Sequence, residues 1–174
     1  MCGLENLKID LKELHEGLTT LEFRLGDAWF QSLEDAEINR GDICVSANIH
    51  RTKDYFNLDC HTEGTVLVPC DICLDDMEQP ISSDNRLAAK FGEEYSEDDD
   101  LITVSENEGV LDLNWFVYEF IALNIPIKHV HAPGKCNPAM IKTLDELSAT
   151  RSSDEDAEAM DPRWNELKKL KNNN

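Results

Sequence analysis

The chain has 174 residues, 41% of them hydrophobic, and its 36 Asp and Glu against 16 Lys and Arg give a formal net charge of −20 at pH 7. This length supports one ordinary hydrophobic core and little more. A surface of this sign opposes non-specific attachment to nucleic acid, because phosphate binding depends on cations that release counterions, and it attracts a basic protein partner instead.

The N-terminus and the apolar segments predict the cellular compartment. No apolar run approaches the roughly 18 residues of a membrane-spanning helix, and the N-terminal MCGLENLKIDLKEL mixes apolar and acidic residues, unlike a secretory leader. We therefore expect a cytoplasmic protein that does not bind membranes. In that setting the six cysteines are interpreted as reduced thiols or metal ligands rather than as three disulfides.

The first half of the chain shows the period-two alternation of β-strands. Apolar and polar residues alternate over 42–50, and the alternation resumes over 56–68 after a polar turn, with Gly64 as a candidate bulge. These two segments predict a long antiparallel hairpin. Other strands are predicted at 20–25, 81–91 and 101–104, and 4–11 is read as a short strand or a turn of helix.

The second half changes to helical spacing. Asp112 is a capping residue for a helix from Leu113 to Leu123, and Pro126 stops it. Asn137 and Pro138 form the start signal of a second helix. The predicted fold class is therefore α+β, an antiparallel β-sheet with a long hairpin, covered by one main apolar helix, with short C-terminal helices.

The composition also predicts the domain organisation. Residues 1–149 are expected to form a single α+β domain with an acidic loop at 92–100. Residues 150–160 are read as an acidic linker, and 161–174 as a short terminal helix with a frayed end. An acidic run of this kind either keeps a protein soluble or attracts a basic partner.

Two groups of cysteines and histidines carry the strongest chemical signal. Cys70 and Cys73 form a C-x-x-C pair in VPCDIC, and His129, His131 and Cys136 follow much later in IKHVHAPGKC. The C-x-x-C spacing fits a zinc-knuckle pair, a redox pair or structural thiols at a tight turn. The redox interpretation is the weakest, because the pair follows an antiparallel hairpin instead of opening a helix in a βαβ unit.

Three segments together carry a family resemblance: VPCDICLDDMEQPI, LDLNWFVYEFIALNIPIKHVHAPGKCNP and the terminal DPRWNELKKL. They resemble the bacterial and plastid large ribosomal RNA subunit accumulation protein family, the YceD-like proteins, from the hairpin to Lys171. The resemblance implies a role in the accumulation of large-subunit (23S) ribosomal RNA or in ribosome biogenesis. It implies no catalytic activity.

The chain departs from the family pattern in the later Cys/His group, where many relatives carry more cysteines. Histidine nitrogen is an acceptable substitute for thiolate, so the change is compatible with a structural, tetrahedral zinc site formed by Cys70, Cys73, His131 and Cys136. The single-residue gap between His129 and His131 suits alternate faces of a strand, so at most one of the two is expected to bind metal.

Enzyme motifs are scarce in the sequence, which has no Gly-rich phosphate loop, no G-x-S-x-G and no H-E-x-x-H. We therefore expect a non-enzymatic factor that binds a basic large-subunit ribosomal protein or assembly factor, with ribosomal RNA contacted indirectly. Two alternatives stay open. One is a metal- or thiol-dependent enzyme in RNA processing, and the other is direct RNA binding through Arg163, Lys168, Lys169 and Lys171.

Overall fold

The computed structural model describes residues 7–53, 55–98 and 101–148, in a chain that divides into the units Met1–Asn137 and Pro138–Asn174. The elements described in the first unit are β1 (Lys8–Asp10), β2 (Gly17–Leu25), α1 (Asp27–Ser32), β3 (Gly41–Arg51), β4 (Phe56–Pro69), β5 (Asp76–Gly92), β6 (Ser96–Asp98), β7 (Leu101–Ser105), β8 (Val110–Asp112) and α2 (Asn114–Asn124). The second unit contributes α3 (Pro138–Leu147), which begins at the predicted proline. The linker and terminal helix predicted at 150–160 and 161–174 lie outside the described residues, and the domain organisation stays a prediction.

A six-stranded sheet with the order β2-β3-β4-β5-β7-β6 dominates the first unit. Its neighbouring strands are antiparallel except for the parallel pair of β5 and β7, and β1 pairs with β8 in a separate two-stranded sheet. β3 and β4 form the predicted long hairpin, and β4 continues into a second hairpin with β5. The predicted α+β class with a mostly antiparallel sheet is confirmed.

The alternation of side chains decides which face of this sheet is buried. The inward residues of β3, namely Ile43, Val45, Ala47 and Ile49, are fully buried. In β4, Val66 and Val68 keep the same alternation up to the end of the strand, and Cys70, the first residue after it, is also buried. The chain therefore leaves the core at Pro69 with Cys70 still pointing inward.

Gly64 does not form the predicted bulge. The pairing of β4 with both neighbours is continuous, with Gly64 opposite Ile43 on β3 and opposite Ile81 on β5. A Cβ atom at this position would lie 2.2 Å from the carbonyl oxygen of Asp42 and 2.8 Å from the Cα of Ile43. The glycine is needed because two backbones approach closely here, and the strand contains no extra residue.

Helix α2 begins one residue later than predicted. Leu113 is its N-cap, and the carboxylate of Asp112 accepts a hydrogen bond of 2.9 Å from the backbone N–H of Asn114. Val117, Tyr118 and Ile121 bury the face that packs on β4 and β5.

The last residue of α2 also ties the helix to the sheet. The side-chain amide of Asn124 bonds the backbone N–H and C=O of Ser82 at 3.3 and 3.2 Å. It occupies the free edge of β5 as a neighbouring strand would.

The acidic segment predicted as a loop contains an edge strand. Ser96–Asp98 form β6, which pairs antiparallel with β7. Of the helices within the described ranges, none is long and apolar enough to cross a membrane.

Candidate metal centre

The turn between β4 and β5 positions the two cysteines of the C-x-x-C pair. The N–H of Leu74 donates to the carbonyl of Cys70 at 2.9 Å, and the N–H of Cys70 donates to the carbonyl of Asp75 at the same distance. Leu74 has a φ of +62°, which reverses the chain immediately after Cys73. Both cysteines are buried, with exposures of 0% and 2%.

The later loop is held against this turn by Asp71. The backbone N–H of Asp71 donates to the carbonyl of His129 at 3.0 Å, and the carboxylate of Asp71 accepts from the backbone N–H of His129 at 2.7 Å. Since one residue contributes both bonds, the two segments are fixed in register.

A tight turn then returns the loop to the cluster. The N–H of Lys135 donates to the carbonyl of Ala132 at 3.0 Å, and Gly134 at its third position has a φ of +78°. Pro133 followed by Gly134 is the sequence preference of a type II turn. This turn places His131 and Cys136 on the same side of the loop.

Four side chains converge where the turn and the loop meet. The ligand atoms of Cys70, Cys73, His131 and Cys136 all lie within 4.8 Å of one another. The Cys70 and Cys136 sulfurs are 3.9 Å apart, and the Cys73 sulfur is 3.3 Å from Nδ1 of His131. His129 is outside this group, and its side chain faces Asp71 with an Nε2–Oδ1 distance of 3.6 Å.

These separations fit a tetrahedral metal site. Zinc–sulfur and zinc–nitrogen bonds of about 2.3 and 2.05 Å imply tetrahedral edges of about 3.8 Å between two sulfurs and about 3.6 Å between sulfur and nitrogen. The Cys70–Cys136 distance of 3.9 Å is close to the first edge, and the Cys73–His131 distance of 3.3 Å is close to the second. A disulfide needs a sulfur–sulfur distance of about 2.05 Å, so Cys70 and Cys136 are free thiols that could share a cation.

The electrostatics of the cluster are also compatible with a bound cation. Burial raises the pKa of Cys70, but hydrogen bonds from the backbone of Cys73, His131 and Ile72 outweigh it and lower that pKa to about 6. Burial and the neighbouring sulfurs of Cys70 and Cys73 raise the pKa of Cys136 to about 11. One thiolate is therefore stabilised by the backbone, and further thiolates need a positive charge between them.

Two further cysteines lie outside the cluster. Cys60 is a free, buried thiol in β4, and burial raises its pKa to about 11. Cys44 is disulfide-bonded, so the prediction of reduced cysteines is wrong at that position.

Asp71 links the two segments of the candidate site, and sequence reasoning missed it, although its place inside the C-x-x-C pair was a usable signal. We expect Asp71→Ala to weaken metal binding about tenfold, because support residues around metal ligands carry effects of this size. Asp71→Asn keeps an acceptor oxygen and should bind nearly as wild type. Competition with a chromophoric zinc chelator measures both affinities, and equal affinities for Asp71→Ala and wild type would contradict the supporting role of Asp71.

Comparison with known proteins identifies a family. A family model described as "Large ribosomal RNA subunit accumulation protein YceD" matches residues 58–171, a range that includes all four residues of the cluster. No curated protein and no solved structure matches the chain.

Proposed function

The chain belongs to the large ribosomal RNA subunit accumulation protein (YceD) family, and from this premise we propose that it is a non-enzymatic factor in ribosome biogenesis needed for accumulation of large-subunit (23S) ribosomal RNA. The family name links the chain to the RNA of the large subunit. It does not name a molecular partner, which has to be argued from the chemistry of the chain itself.

The proposed partner is a basic large-subunit ribosomal protein or assembly factor. The single observation that carries this proposal is the net charge of −20. A field of that sign repels RNA phosphates and accelerates encounters with a basic protein. Ribosomal RNA is then affected through the protein that binds it.

We further propose that Cys70, Cys73, His131 and Cys136 hold a structural zinc ion. The support is their mutual approach within 4.8 Å and the choice of three thiolates and one imidazole, a ligand set typical of closed structural zinc sites. Such an ion would hold the β4–β5 turn against the later loop. With all four positions filled by protein, the metal would have no open position for a substrate.

We expect salt-sensitive recovery of basic large-subunit proteins when the tagged chain is purified from its own cells. Electrostatically steered complexes weaken steeply as ionic strength rises, so the recovered amount should fall several-fold between about 0.05 and 0.5 M salt. Quantitative mass spectrometry of the eluate, with RNA and zinc measured in the same samples, tests this.

Two outcomes would contradict the proposal. Recovery that is unchanged by salt would remove its electrostatic basis, and stoichiometric precursor RNA that survives salt would favour direct RNA binding. The basic residues considered for that alternative, from Arg163 to Lys171, lie outside the described residues.

Depletion of the protein from cells should lower the amount of large-subunit ribosomal RNA relative to the small-subunit RNA.

A further inference from the structure

Three exposed apolar side chains lie on the two segments that carry the candidate metal centre. Ile72 and Leu74 on the β4–β5 turn are 36% and 67% exposed, and Ile127 on the later loop is fully exposed. Ile127 precedes His129 by two residues, and the carbonyl of His129 is bonded to the N–H of Asp71. The three side chains therefore belong to two segments that are hydrogen-bonded to each other, and together they form what we call the knuckle patch.

The fold does not require a leucine at position 74. Its φ of +62° lies in the left-handed region, where a leucine costs about 1 kcal/mol or more and a glycine costs little. Its side chain is mostly exposed and is not part of the buried core. A large apolar side chain is thus presented to solvent at a position where the backbone favours glycine.

The charges near the patch restrict the chemistry of a partner. The turn segment carries four carboxylates, those of Asp71, Asp75, Asp76 and Glu78, and no lysine or arginine. Arg40 pairs with Asp76, and the later loop adds Lys128 and Lys135. Local charges are thus mixed, and the attraction of a basic partner comes mainly from the net charge of −20.

We propose that the knuckle patch is the docking surface for a basic partner segment that inserts apolar side chains between Ile72, Leu74 and Ile127. This inference rests on the proposed function and names the surface that performs it. Exposed apolar side chains with polar surroundings are typical of interaction sites. The contributions of charge and of apolar contacts can be tested separately, because long-range charge sets the association rate and buried apolar anchors set the dissociation rate.

The test uses immobilised peptides that tile the basic large-subunit ribosomal proteins and the basic assembly factors of the same organism, with the full zinc-loaded chain in solution. The double variant Leu74→Gly/Ile127→Ser should dissociate from the binding peptides about tenfold faster, the effect of losing an interface anchor. Its association rate and the salt dependence of that rate should stay unchanged. Glycine suits the backbone at 74 and Ile127 is fully exposed, so the variant is expected to fold.

Leu18 provides the matched control. It is 69% exposed, compared with 67% for Leu74, and it lies on β2 opposite His50, which pairs with Asn57 on β4. The twelve residue-to-residue steps along β4 from Asn57 to Pro69 place Leu18 about 40 Å from the turn. Leu18→Thr should therefore leave dissociation unchanged.

The outcomes distinguish an error in the docking surface from an error in the proposed function. If the wild-type chain binds none of the peptides, the proposed basic partner is wrong, and the proposed docking surface is wrong as well. If wild type binds and the double variant dissociates equally slowly, only the docking surface is wrong. Faster dissociation of Leu18→Thr to the same degree would also overturn it, since the effect would then be general apolar adhesion.

Discussion

Cys70→Ser is expected to abolish stoichiometric zinc binding and to lower the midpoint of thermal unfolding by about 10 °C. The folded wild-type chain should bind one zinc ion through four side chains whose ligand atoms lie within 4.8 Å. A ligand present at a thousandfold excess over its Kd stabilises the folded state by about 4 kcal/mol. For a chain of this size that free energy corresponds to a shift of about 10 °C.

Zinc content by mass spectrometry and unfolding by circular dichroism measure the two effects together. Cys60 offers a matched control, because it is an equally buried free thiol outside the cluster. Cys60→Ala should keep one zinc per chain, whereas a strong chelator should lower the unfolding midpoint of wild type to that of Cys70→Ser.

The two neighbouring histidines give a sharper form of the same prediction. His131→Ala should lose zinc, because its Nδ1 is 3.3 Å from the sulfur of Cys73. His129→Ala should keep it, because that ring faces Asp71. A purified wild-type chain without zinc that cannot be loaded, or a His131→Ala variant with full zinc, would exclude the proposed ligand set.

Gly64→Ala is expected to destabilise the fold by about 3 kcal/mol or more. The added Cβ would lie 2.2 Å from the carbonyl oxygen of Asp42, and a φ of +154° is itself unfavourable for alanine. β4 is hydrogen-bonded on both sides, to β3 and to β5. It cannot move away from β3 without stretching its hydrogen bonds to β3 and being pushed against β5.

Urea unfolding followed by circular dichroism measures this loss as a lower midpoint with an unchanged slope. Gly26→Ala is the control, since no atom lies within 4 Å of the position of its Cβ. It should change the unfolding free energy by less than about 1 kcal/mol. Similar midpoints for the two variants would mean that the close approach at Gly64 is not required for stability.

The family and much of the architecture were predictable from local patterns. Period-two alternation predicted the β3–β4 hairpin because a strand places alternate side chains on opposite faces. The Asn137–Pro138 pair predicted the start of α3 because proline is well suited to the first turn of a helix. The C-x-x-C motif and the segments around it predicted the family that the comparison confirms.

Other features depended on contacts between residues far apart in the chain. A glycine in a strand fits either a bulge or a close backbone approach, and at Gly64 only the distance to the β3 backbone distinguishes the two. The hydrogen bond of Asp71 to a distant loop and the positive φ of Leu74 leave no periodic signal, so the sequence did not indicate them.

For the candidate site, the sequence by itself determined the identity of the four residues, because thiol and imidazole spacing is a local property of two short segments. Only the tertiary structure decided that His131 enters the cluster while His129 bonds to Asp71. The spacing allowed at most one of the two histidines, and the predicted ligand set named His131, but spacing alone could not show that its ring reaches Cys73. The physical reason is that the β4–β5 turn and the later loop are joined by hydrogen bonds across the fold, and those bonds set the side of the loop that faces the cysteines.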